Sequence, residues 1–314
     1  MVYSTHGPEM LTAMEQRFEA ANPGVDVQWV DMGSQEVLDR IRSERANPQA
    51  DVWFGAPGPL FERAAQQGLL DAYSPAWATA VSGESDPQGR YHGIYYTPEV
   101  IAYNSAAVDS ASAPRDWSDL LDPRWKGKVI IRDPIASGTM RTIFGMIIER
   151  SLKQTGDTAQ GFAWLRRLDG QTREYVLNPT MLYQKLARRE GLVTVWDMPD
   201  IELLRSRSEY PVAYRFPTSG TPMVVDGIAL VRGAPHPDLA KKFIDFVGGA
   251  AALSLAAREF YRLPVRSDFP ADSLPPVLRR ARREIRPEPM DWQLLQERGA
   301  EWMRYWDEHV RGQG

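Results

Sequence analysis

The sequence predicts an α/β protein built as two lobes, on three observations. Short apolar stretches alternate with amphipathic helical ones along most of the 314 residues, the pattern of βαβ architecture. Two extended apolar runs, residues 93–105 and 221–233, exceed the length of an ordinary strand. They bracket a central α/β block and lie within an outer one. The simplest path starts a first lobe (1–100), builds a second (101–222), and returns to finish the first with C-terminal helices (223–314). Such a path predicts two crossing segments and a cleft that closes on a ligand by a hinge.

The elements follow in order. Val2 to Ser4 reads as a short strand, and Pro8 suits the first turn of a helix. Leu11, Met14, Phe18 and Ala21 line one face of that helix, and "NPG" ends it. Residues 25–30 read as the next strand and 35–44 as the next helix. "ADVWFGAP" is a buried strand closing in a turn at Gly55, followed by helix over 60–67. The run "GIYYTPEVIAYNS" is interrupted by Pro98. In the central block, "WKGKVIIRDPIASGTMRTIFGMIIERS" reads strand, loop, helix, with Met140, Ile143, Phe144, Ile147 and Ile148 as a stripe. Phe162, Trp164, Leu165 and Leu168 belong to another helix, and 181–189 to a third. "LVTVWD" is a strand tipped by an aromatic and a carboxylate, and Pro199 opens the helix after it. "PDLAKKFIDFVGG" is a helix ending in Gly-Gly, and an Arg- and Trp-rich helical stretch completes the chain.

Composition narrows the function. The net charge of -4 supplies no basic field for nucleic acid or an anionic membrane. Four His and no Cys exclude thiolate zinc sites, disulfides and Cys nucleophiles. No apolar run approaches the roughly 20 residues that span a bilayer. Met1 leads directly into strand-like sequence, so the chain reads either as cytoplasmic or as a mature chain whose signal has been removed.

Five segments, "VYSTHGPE", "ANPGVDVQWV", "IRSERANPQADVWFGAP", "YNS" followed by "WSDLLDPRWKGKVIIRDPIASGT", and "DGIALVRGAPHPDLAKKFIDFV", resemble the bacterial periplasmic solute-binding proteins of ABC importers, and most closely the ferric-iron-binding branch. The resemblance implies a two-lobed type II binding fold with a cleft between the lobes. It implies a periplasmic or extracytoplasmic location, and delivery of a small-molecule ligand to the ABC permease subunits. It also implies that nothing is catalysed and that no cofactor or resident metal is needed; a monomer is expected. Ferric binders of this branch carry an adjacent Tyr-Tyr pair on the second lobe, at the position of Trp196-Asp197. Some relatives in the same branch carry a His-Asp or similar pair there and bind phosphorylated sugars or organophosphonates instead, and this chain resembles those more.

The candidate ligand-binding residues are Thr5, His6, Ser34, Gly55, Tyr95, Ser137, Gly138, Thr139, Trp196, Asp197 and Asp226. Ser137-Gly138-Thr139 opens a helix whose free amides and positive dipole end suit an anion; alternatively Ser137 is only its cap. Thr5 and His6 follow a strand at the edge where α/β sheets hold ligands. His6 either meets a phosphate or hydroxyl, ligates a metal, or is an exposed loop histidine. Ser34 reads as a helix cap or a ligand donor, and Gly55 as a plain turn or a point of close ligand approach. One of Tyr95 and Tyr96 faces the cleft and the other the core. Asp197, three residues before Asp200, reads as a cap or a ligand group; Trp196 either stacks on a sugar ring or packs. Asp226, inside an apolar run, needs a partner: a backbone amide, an Arg, or the ligand. Helix-end donors suit a phosphate or phosphonate and carboxylates suit hydroxyls or an ammonium. The predicted ligand is therefore a small phosphorylated or phosphonate-bearing solute, such as a sugar phosphate. The alternatives are ferric iron and, from another class, hydrolysis with Asp197 and Asp226 as an acid/base pair.

Overall fold

A computed structural model describes every residue except Glu209. In chain order it runs β1 (Val2–Ser4), α1 (Pro8–Ala21), β2 (Trp29–Asp31), α2 (Ser34–Ser43), β3 (Val52–Pro57), α3 (Gly58–Gln66), β4 (Leu70–Asp71) and β5 (His92–Asn104). There follow β6 (Val129–Arg132), α4 (Gly138–Thr155), α5 (Ala159–Asp169), β7 (Thr172–Val176), α6 (Pro179–Ala187), β8 (Val193–Asp197), α7 (Met198–Arg207) and β9 (Val212–Arg215). The chain ends with β10 (Met223–Val231), α8 (Pro237–Val247), α9 (Ala250–Glu259), β11 (Leu263–Pro264), α10 (Pro276–Glu284) and α11 (Trp292–His309).

These elements form two compact units, Met1–Thr97 with Val225–Arg280, and Pro98–Val224 with Ala281–Gly314. The chain passes from one to the other inside β5, inside β10 and again inside α10.

In the first unit β1 pairs in parallel with β2 and β3, and β10 runs antiparallel to β3. Successive residues of β3 face opposite sides of the sheet, as the pleat requires. Trp53 stacks on Phe61 of α3 at 4.1 Å, while Phe54 faces Phe243 of α8 at 6.4 Å. The sheet is thus covered on both faces, which is why "ADVWFGAP" is apolar throughout rather than alternating. Leu11, Met14 and Phe18 of α1 are buried as their spacing predicts, whereas Ala21, in the last turn, is exposed.

In the second unit β6 pairs in parallel with β7 and β8, and β5 lies antiparallel to both β8 and β9. The α4 stripe from Met140 to Ile148 is buried, as are Phe162, Leu165 and Leu168 of α5; Trp164 is half-buried.

Four sequence expectations are revised. The run read at 93–105 forms one uninterrupted strand, His92–Asn104, despite Pro98. Its missing N–H removes no bond, because β11 pairs with Tyr95 and Tyr96 before it and β8 takes up pairing at Glu99 after it. β3 does not close at Gly55 but continues to Pro57, through an irregular register against β10 between Asp226 and Ile228. The second strand forms later than read, at Trp29 rather than residue 25. The C-terminal residues Ala281–Gly314, read from sequence as part of the first lobe, belong to the second unit. There α11 buries Leu295, Trp302, Met303 and Trp306. Trp306 meets Phe144 of α4 edge-on at 5.4 Å and Tyr175 of β7 at 5.0 Å.

Candidate functional site

Most of the predicted residues fall at or just after the carboxyl ends of the parallel strands β1, β2, β3, β6 and β8, the edge where open α/β sheets hold ligands; Tyr95 and Asp226 lie instead within the antiparallel strands β5 and β10. In the first unit, β1 ends at Ser4, whose hydroxyl accepts the His6 N–H at 3.2 Å. Gly7 has φ 76° and hands the chain to Pro8 at the first turn of α1. This tight exit turns the His6 ring inward. The ring is 7% exposed rather than a surface loop side chain, and lies edge-on to Phe54 at 4.4 Å and to Tyr95 at 5.7 Å. Burial, then the nearby Arg262 guanidinium, holds its pKa well below the ordinary histidine value, so the imidazole is neutral. Its Nε2 is buried without a hydrogen-bond partner among the described residues.

The β3 irregularity serves the same place. Gly55 has φ 88°, and a Cβ there would fall 2.7 Å from Thr5 Oγ1 and 2.8 Å from His6 Nε2. Ala56 follows at φ 124°, a region that side chains avoid. Opposite them the β10 register shifts beside Asp226, and such irregularities re-aim side chains. Asp226 accepts the Thr97 hydroxyl at 2.5 Å and stands 3.9 Å from the buried Arg262 guanidinium. Of the partners considered for this carboxylate, an arginine is therefore present. Tyr95 is fully buried, and its hydroxyl has no hydrogen-bond partner among the described residues. Burial raises its pKa far above the usual phenol value, and Asp226 adds to the rise. Tyr96 instead donates to Glu84 at 3.0 Å. Thr5, His6, Gly55, Tyr95 and Asp226 are thus brought together. Ser34 is one strand further out and starts α2; Gly33, not Ser34, is the cap.

In the second unit, Asp133 follows β6 and organises the loop to α4. Its Oδ1 accepts the Ile135 N–H at 2.8 Å and its carbonyl the Ser137 N–H at 3.1 Å. Arg311, from beyond α11, donates to Oδ2 at 2.7 Å. Ser137 is the N-cap of α4, its hydroxyl accepting the Met140 N–H at 3.3 Å, with Gly138 and Thr139 in the first turn. At the end of β8, Asp197 caps α7, Oδ1 accepting the Asp200 N–H at 3.0 Å. The Trp196 indole N–H donates to the Tyr183 hydroxyl at 3.0 Å and to Asp200 at 3.2 Å. Tyr183 in turn donates to Asp200 at 2.7 Å. Trp196 is thus a packed, hydrogen-bonded residue, 5% exposed. Burial, then the Asp200 and Asp197 charges, keeps the Tyr183 phenol protonated.

The sequence reading passed over Arg262, Thr97 and Glu99. Glu99 is fully buried and lies directly across from Asp197 in the β5–β8 register. It carries the signal that singled out Asp226, a carboxylate inside an apolar run. Arg262, in "FYRLPV", carries no comparable signal.

Residues 47–298 match the family described as bacterial extracellular solute-binding protein. A "Probable ABC transporter periplasmic-binding protein" of Sinorhizobium fredii is 27% identical, over 99% of this chain and 86% of its own length. A "Putative 2-aminoethylphosphonate-binding periplasmic protein" of Salmonella typhimurium is 29% identical, over 79% of this chain and 72% of its own. Among solved structures, the periplasmic binding protein AfuA of Actinobacillus pleuropneumoniae, with exogenous fructose-6-phosphate bound, superposes with a TM-score of 0.85 at 22% identity, covering 99% of this chain and 98% of that one. Iron-bound HitA of Pseudomonas aeruginosa superposes at 0.79 and 21% identity, over 96% and 97% of the two chains. At these identities the structures show a shared fold.

Proposed function

Because the chain belongs to the bacterial extracellular solute-binding protein family, we propose that it is the periplasmic binding component of an ABC importer. Its solute is a small phosphorylated or phosphonate-bearing molecule. The anionic group meets the N-terminal turn of α4 at Ser137, Gly138 and Thr139, and the rest of the solute meets the polar residues at the first unit's strand edge. The permease receives the bound solute. No covalent step is involved: both carboxylates of the hydrolase alternative have protein partners, Asp197 as a helix cap and Asp226 on Thr97.

The observation that carries this reading is Trp196-Asp197 at the end of β8, the position to which the sequence resemblance assigns the tyrosine pair of ferric binders. A hard ferric ion favours anionic oxygen donors, phenolates among them. The tyrosines near the two strand edges, Tyr95 and Tyr183, are not an adjacent pair: Tyr95 is fully buried in β5, and Tyr183 of α6 donates to Asp200 at 2.7 Å. A helix end with small residues and a hydroxyl suits an anion. A relative named for 2-aminoethylphosphonate, 29% identical, supports the same chemistry.

The test is a thermal-shift panel of fructose-6-phosphate, 2-aminoethylphosphonate, inorganic phosphate and ferric citrate. A phosphorus-containing ligand at 100 times its Kd should stabilise the protein by about 2.7 kcal/mol. Stabilisation by the ferric salt alone, with a phenolate–iron absorption band, would replace this reading with iron binding.

A further inference from the structure

We propose that Arg262 is a specificity-determining residue. By matching Asp226, it turns the first unit's polar edge toward hydroxyl groups and away from ammonium groups. The inference rests on the phosphorus-ligand reading above, and chooses within it between a polyol phosphate and an aminoalkylphosphonate.

Arg262 lies between α9 and β11, its N–H bonded to the Ala256 carbonyl at 3.1 Å. The preceding Tyr261 has φ 53°, the left-handed region, which reverses the chain after α9. β11 then pairs with Tyr95 and Tyr96. This path carries the guanidinium into the unit's interior, where its side chain is 6% exposed and stands 3.9 Å from the Asp226 carboxylate. An alkylammonium seeks a buried carboxylate as counter-ion. Here that carboxylate already faces a buried cation and accepts the Thr97 hydroxyl at 2.5 Å. A second cation beside Arg262 would be desolvated without a counter-charge of its own, one of the most unfavourable arrangements in a protein interior.

The groups beside this pair have different needs. His6 Nε2 and the Tyr95 hydroxyl are both buried without a hydrogen-bond partner among the described residues. The imidazole is neutral, so it adds no charge. A phenol hydroxyl offers one proton and accepts another, and a neutral imidazole nitrogen does one or the other according to tautomer. A ligand hydroxyl, which both donates and accepts, satisfies either group. An ammonium only donates, so it meets neither the Tyr95 proton nor an Nε2–H. Buried polar groups without protein partners are where a ligand or ordered water completes the bonding.

Calorimetric titration with fructose-6-phosphate, 2-aminoethylphosphonate and inorganic phosphate tests this. On wild-type protein the sugar phosphate should bind at least about tenfold more tightly than the aminophosphonate, a difference of 1.4 kcal/mol. Arg262→Gln, which leaves Asp226 without its cation, should narrow that ratio about tenfold or invert it. Tyr95→Phe should weaken fructose-6-phosphate about fivefold and leave inorganic phosphate unchanged, since it removes one hydroxyl contact. If Arg262→Gln fails to fold, the wild-type ratio and Tyr95→Phe still decide. Aminophosphonate binding as tight as the sugar phosphate overturns the role of Arg262 while the phosphorus reading stands. Failure of all three phosphorus ligands overturns that reading, and this inference with it.

Discussion

Gly55 holds a position that excludes every side chain on two counts. Its φ of 88° is strained for any L-residue, and a Cβ would press on Thr5 Oγ1 and His6 Nε2. Gly55→Ala is expected to lower stability by about 2 kcal/mol, read from the denaturant midpoint. At Asp197 the cap and the ligand contact are separable. Asparagine caps as well as aspartate, so Asp197→Asn should unfold within about 0.5 kcal/mol of wild type, whereas Asp197→Ala should lose about 1 kcal/mol. If the carboxylate also meets the solute, Asp197→Asn alone weakens fructose-6-phosphate about tenfold in a titration. His6 gives a pH signature. Its folded pKa is depressed, so the unfolded chain takes up a proton first as pH falls. The contribution to stability is full above pH ~6.5 and declines below it, by up to about 1.4 kcal/mol per pH unit until the folded pKa is reached. His92, lowered mainly by burial, acts in the same direction. Urea denaturation between pH 7.5 and 5 should show a steep loss, and His6→Gln should flatten part of it, leaving the share of His92.

Among the elements, α11 shows what periodicity in a sequence reveals and what it leaves open. Its apolar positions announce a buried face, and Leu295, Trp302, Met303 and Trp306 are buried. The face does not say which sheet it will cover, because an amphipathic stripe carries no address. The alternation of strands and helices was legible for the same reason: periods of 2 and 3.6 are local properties. The edge residues were legible where a strand tip or a carboxylate in an apolar run broke the expected pattern, as at Trp196, Asp197 and Asp226. Arg262 was not, because its partner lies 36 residues earlier in the chain and nothing in "FYRLPV" marks an arginine that turns inward. β4, β9 and β11 are two to four residues long and took their identity from their neighbours. Trp306 fills the space between Phe144 and Tyr175 and is fully buried. Trp306→Ala should cost about 3–5 kcal/mol, and circular dichroism melts would record it.

For the molecule as a whole, neither unit is a single stretch of chain. The second needs Ala281–Gly314 as well as Pro98–Val224. The bidentate pair of Arg150 with Glu288, at 2.9 and 2.6 Å, and the bridge of Thr221 to Pro287 add to the contacts of α11. Residues 98–224 expressed alone would expose the α4 surface that α11 covers. That fragment should show no cooperative melt, and a fusion of 98–224 to 281–314 should regain one, measured by near-ultraviolet circular dichroism. Folding of the shorter fragment alone would show that α11 is dispensable to this core.

The three passages of the chain have a practical consequence. β1 is built into one unit and α11 into the other. A donor dye on an exposed residue of α1, such as Glu9, and an acceptor on α11, such as Glu301, would therefore ride on different bodies. Both carriers are helical, and neither labelled position is itself a predicted ligand residue. Energy transfer between the two ends of the sequence becomes a direct gauge of displacement between the units, usable with an unlabelled solute and before that solute has been identified.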